Sequence, residues 1–154
     1  MGLKELFLNK GWAGRTLSRP ETVERINPLI RRHHELNRSY DFAIAHLDDR
    51  EAAERLNVLQ RIARADVGKL SETVLSAGEV SYNGTELEPE HVDLGNDDGT
   101  ILRDLVRLEE AFIGMLEDES RLEHQIRTRA ILALVLQHSR ERLDALGGLS
   151  ARGR

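Results

Sequence analysis

The run Ala130-Ile131-Leu132-Ala133-Leu134-Val135-Leu136, inside the segment Ser120 to Leu146, is apolar in every direction around a helix. One buried stripe cannot account for it. The other candidate helices each carry a single apolar face, so the sequence predicts that they pack around this one. No run in the chain reaches the roughly 18 apolar residues that a membrane span needs.

A chain of 154 residues fits one domain with a core of its own. With 4% aromatics and 40% hydrophobic residues, that core must be built from Leu, Ile, Val and Ala. The absence of Cys removes disulfides, cysteine nucleophiles and thiolate metal sites together. A net charge of -5 argues against nucleic acid as a partner, because broad phosphate binding needs a basic face. The first residues, Met1 to Leu8, carry Glu5 among their apolar side chains and lack the uninterrupted apolar core of a signal peptide. The expectation is a cytoplasmic protein with no membrane partner.

Along the chain, residues 1–19 read as an N-terminal arm in which Trp12, the one Trp, anchors against the bundle or a partner. The bundle itself is expected over 20–147. Its first helix starts either at Ser18, where Ser-Arg-Pro-Glu matches a capping box, or at Asn27-Pro28. The second runs from about Asp49 to Ala77 and stops at Gly78, after a turn so short that helices one and two must be antiparallel. Residues 78–99, with Asn83-Gly84, Pro89 and Asn96-Asp97-Asp98-Gly99, form a long crossover able to reach the opposite end of the bundle. The third helix covers about Thr100 to Asp118. The fourth opens with the capping-box match Ser120-Arg121-Leu122-Glu123 and ends at Gly147-Gly148, leaving a flexible tail over 148–154. One continuous helix from Thr100 to Leu146 is the rival reading.

Helical wheels place a polar residue on the inner face of each helix: His33 in the first, Asp66 in the second, Glu109 in the third. The fourth offers Glu123, Arg129, Gln137 and Arg140, while His124 points away from its inner stripe and His138 lies on its second apolar surface. Two readings follow. His33, Asp66 and Glu109 form a buried polar network in which His33 or Arg129 compensates the carboxylates, since buried charges must be paired. Alternatively they converge on a metal or proton-transfer site, as imidazoles and carboxylates do in other bundles. The network is the preferred reading. No catalytic motif is present: no Gly-x-Ser-x-Gly, no phosphate loop and no His-Glu-x-x-His.

Two antiparallel helix pairs joined by one long crossover is the layout of ferritin-like bundles. Leu36-Asn37-Arg38-Ser39-Tyr40, Leu70 through Ala77-Gly78-Glu79, and Leu108-Glu109-Glu110 add a likeness in sequence. On these residues the chain resembles, over roughly Leu29 to Leu146, a small bacterial branch of the ferritin-like superfamily described only as domains of unknown function. The resemblance implies an all-α, four-helix, ferritin-like fold. It also supplies a test, because the iron-binding members use a Glu from each of two helices and Glu-x-x-His from the other two. Glu109 can stand for the third-helix carboxylate. Asp66-Val67-Gly68-Lys69 and Glu123-His124-Gln125-Ile126 break the Glu-x-x-His pattern, and the first helix presents His33 in place of an inward Glu. The resemblance therefore implies the fold without the standard di-iron site and without a cofactor. An altered site for iron or another divalent metal is the alternative.

Because three helices supply one stripe each, Ile131, Leu134 and Val135 are left without enough chain to cover them, unless the crossover or the Trp12 arm does so. The sequence thus predicts a non-enzymatic interaction module, a homodimer joined through helix four, with Trp12 at or near the interface and a further protein partner as an added possibility. The alternative class is a metal-binding or redox, stress-related protein using His33, Asp66 and Glu109.

Overall fold

The computed structural model describes residues 16–82 and 92–152. Trp12 and most of the arm, the Asn83-Gly84 turn and the residues around Pro89 and His91 lie outside the described residues. Four α-helices account for the fold, with no strand among the described residues: α1 (Arg19–His46), α2 (Arg50–Ser76), α3 (Asp98–Ser120) and α4 (Ile126–Arg152). No helix among the described residues is long and apolar enough to cross a membrane.

Of the two possible starts for α1, the first is used. Ser18 Oγ accepts from Glu21 N at 3.3 Å and Glu21 Oε1 accepts from Ser18 N at 3.0 Å, which satisfies two end donors reciprocally. The helix then continues through the exposed Pro28. In α2, the Asp49 carboxylate caps by accepting from Glu51 N and Ala52 N, and Gly78, at φ 91°, takes the left-handed conformation just beyond the end.

Two sets of contacts fix the topology. The Asp98 carboxylate at the start of α3 accepts from the backbone of Asp48 (2.8 Å) and Asp49 (3.0 Å), so α3 begins beside the turn between α1 and α2. At the other end, Leu17 N donates to Glu123 O (2.7 Å) and Arg25 binds Glu119. Helix α3 therefore runs antiparallel to α1 and parallel to α2, and the crossover must travel the ~40 Å that a helix of this length spans. On the way, Tyr82 N donates to Asn27 Oδ1 (3.1 Å) and Leu94 buries in the core. Helix α1 packs on α2 and α3, and α4 packs on α3 and α2, which leaves α1 diagonal to α4. Leu, Ile, Val and Ala with Tyr40 and Phe112 fill the interior.

Helix α4 departs from expectation at both ends. Ser120 does not cap it; its hydroxyl donates back to Leu116 O (2.7 Å) in the last turn of α3, and α4 begins only at Ile126. Nor does it stop at Gly147-Gly148. Neither glycine has a positive φ, and Leu149 buries beyond them alongside Leu146, so the apolar face carries the helix to Arg152 where a tail was expected. The rival single helix is ruled out by the break at 121–125.

Candidate functional site

Along α4 the buried residues Thr128, Leu132, Val135, Ser139, Arg142, Leu146 and Leu149 recur at alternating steps of three and four, with Leu136 buried beside Val135. That spacing puts Arg142 in the middle of the inner stripe, where it is only 1% exposed. Its Nε donates to Glu109 Oε1 at 2.5 Å. The same carboxylate accepts from Tyr40 OH (2.8 Å, at Oε1) and Ser139 Oγ (2.5 Å, at Oε2), so α1, α3 and α4 meet on Glu109. Burial, and then the Glu109 charge, push the Tyr40 phenol well above its ordinary pKa, so it stays a proton donor.

Helix α2 enters through Asp66. His138 Nδ1 donates to its carboxylate (2.9 and 3.0 Å), Lys69 Nζ lies at 3.5 Å, and Arg142 Nη1 stands 3.8 Å from Oδ2. Two buried carboxylates thus face two cations, Arg142 and Lys69. A buried ion pair survives only when its remaining lone pairs and protons are hydrogen-bonded, and Tyr40, Ser139 and His138 do this for the two acids.

His33, Asp66 and Glu109 are all fully buried, as their wheel positions indicate. Asp66 and Glu109 are brought together through Arg142. His33 is not: its ring packs on Phe112 (4.6 Å between centroids) and shares no hydrogen bond with either acid. Desolvation, followed by the nearby Arg142 charge, lowers its pKa to about 3, which leaves a neutral imidazole. No three His, Asp or Glu side chains among the described residues are placed to hold a metal ion.

The compensating cation is neither His33 nor Arg129. Arg129 lies on the surface, 3.7 Å from Glu123. Arg142 was not among the sequence candidates, because the all-round apolar run before it hides which side of α4 faces in; the three-and-four spacing of the stripe is the signal that marks it. His138, expected on an outer apolar surface, belongs to the network instead. A second cluster sits at the C-terminal end of α3. Glu119 accepts from Arg25 (3.0 and 3.1 Å) and from His124 Nε2 (2.7 Å), with His124 buried in the α3–α4 link and not turned outward. Burial alone raises the Glu119 pKa, yet the His124 and Arg25 contacts overcome it and hold the carboxyl below its usual value.

Among the expected interface residues, Val135 is in the core and Ile131 is half-buried against it, because both lie toward the neighbouring helices. Leu134 is half-buried. The outward face of α4 is instead made by Ile126, 87% exposed, with the exposed Ala130 and Ala133 beside Leu134. Comparison with protein-family models and with curated proteins gives no match.

Proposed function

We propose that the chain is a non-enzymatic self-association module, a homodimer joined through the outward face of α4. The observation that carries this reading is the stripe Ile126, Ala130, Ala133 and Leu134, spaced i, i+4, i+7 and i+8 on a face that no other described helix covers. Small residues in such a seam let two helices approach closely, with Ile126 and Leu134 as the larger contacts. The stripe continues into Gln137 and Glu141, which bond to each other (3.2 Å) and form a polar rim.

The interior supports the same reading. The acids that a metal-binding or redox function would need, Asp66 and Glu109, already bind Arg142, Tyr40, Ser139 and His138, so the polar centre serves the bundle itself. In this proposal the chain is a cytoplasmic, bacterial ferritin-like bundle by helix order and crossover, with an arginine where a bound cation would otherwise neutralise the acids.

Sedimentation of the protein at micromolar concentration, beside an Ala133→Glu variant, tests the proposal. A dimer that becomes a folded monomer on substitution supports it. A wild-type monomer, or a dimer indifferent to Ala133→Glu, overturns it.

A further inference from the structure

Arg142 spends its Nε on Glu109, but Nη1 and Nη2 have no hydrogen-bond partner among the described residues. The 3.8 Å between Nη1 and Asp66 Oδ2 suits an ion pair and is too long for a hydrogen bond. The His33 ring is as deeply buried, and beyond a short-range contact with its own backbone neither of its nitrogens has a partner among the described residues. Asn37 Oδ1, one turn further along α1, is in the same condition. Buried donors and acceptors left in this way are costly, and native interiors satisfy them. His33 and Arg142 belong to the two diagonal helices but approach each other at α3: His33 packs on Phe112, one turn from the Glu109 that Arg142 binds, and the guanidinium charge reaches the imidazole.

We infer that a buried water molecule sits between the Arg142 guanidinium and the His33 ring, bridging α1 to α4 across the bundle diagonal. Charge selects the occupant. A cation is repelled by the guanidinium, and an anion by the Asp66 and Glu109 carboxylates that surround it. A neutral molecule must accept from Nη1 and Nη2 while donating to the unprotonated His33 nitrogen, and water has two lone pairs and two protons for that task. Its second proton is available to Asn37 Oδ1. Polar interior sites with two to four partners are where internal waters are held. The water completes the network by adding His33, which direct hydrogen bonds leave out.

Crystals of the wild-type protein, grown with bromide as the only halide and measured to high resolution with anomalous data, test this. The expected result is one well-ordered peak without anomalous signal, within hydrogen-bond distance of a His33 ring nitrogen and an Arg142 terminal nitrogen. That peak is expected to vanish in His33→Phe crystals while the Arg142–Glu109 contact persists. A direct His33–Arg142 hydrogen bond, a dry gap, or an anomalous peak from bromide or a metal overturns the inference.

Discussion

The Asp98 carboxylate accepts a 2.8 Å hydrogen bond from the backbone N–H of Asp48, and a second, at 3.0 Å, from Asp49. One side chain in the first turn of α3 thereby closes the turn between α1 and α2 and sets the end of the bundle at which α3 begins. Asp98→Ala is expected to cost about 1–2 kcal/mol, the usual scale for losing a helix-end carboxylate cap. Asp98→Asn, which keeps one acceptor oxygen, is expected to lose less. Urea denaturation measures both, and equal stability of Asp98→Ala and wild type would remove this clamp from the account.

Two glycines make opposite predictions. Gly95 has φ 109°, and an added Cβ would meet Thr100 Cγ2 at 2.5 Å, so Gly95→Ala is expected to destabilise by at least ~1 kcal/mol. Gly147 lies inside α4 with open space around a would-be Cβ, so Gly147→Ala is expected to stabilise by about 0.5–1 kcal/mol. If α4 ended at Gly147 with a left-handed cap, the same substitution would destabilise. Thermal melts of the two variants distinguish the cases.

Acid stability follows from His33. Its pKa falls from 6.5 to about 3 on folding, so the unfolded chain takes up a proton first as pH drops. No penalty exists above pH 6.5; below it, stability falls by up to about 1.4 kcal/mol per pH unit until the folded pKa is reached. Glu119, held below its usual 4.5, adds stability that is present above that value and lost on further acidification. His33→Phe is expected to flatten the slope between pH 6 and pH 4.5 in melts taken across that range. An unchanged slope would show that another group takes up the proton.

Helix number, order and the direction of the crossover were legible because three- and four-residue periodicity and loop length report them directly. Ser18 was legible as one of two possible caps of α1, and Asp49 as the start of the second helix, for the same local reason. Ser120-Arg121-Leu122-Glu123 has the composition of a capping box, but composition does not say which helix the serine serves; its hydroxyl is taken by Leu116 O. Gly147-Gly148 has the composition of a helix end, yet burial of Leu149 outweighs the cost of two helical glycines. In the site, Asp66, Glu109 and His33 were legible because α1, α2 and α3 each have one apolar face. Arg142 was not, because residues 130–136 are apolar all round and blur the inner stripe to which it belongs.

The central claim is that the bundle interior is a closed charge network organised on Arg142, and a double-mutant cycle on Arg142 and Glu109 tests it most directly. Arg142→Met and Glu109→Gln are each expected to cost about 3–5 kcal/mol, since each leaves buried charge uncompensated. The double variant is expected to fall short of the sum by at least about 2 kcal/mol in chemical denaturation. Losses that add to within about 0.5 kcal/mol would mean the two residues act independently, and would contradict the account.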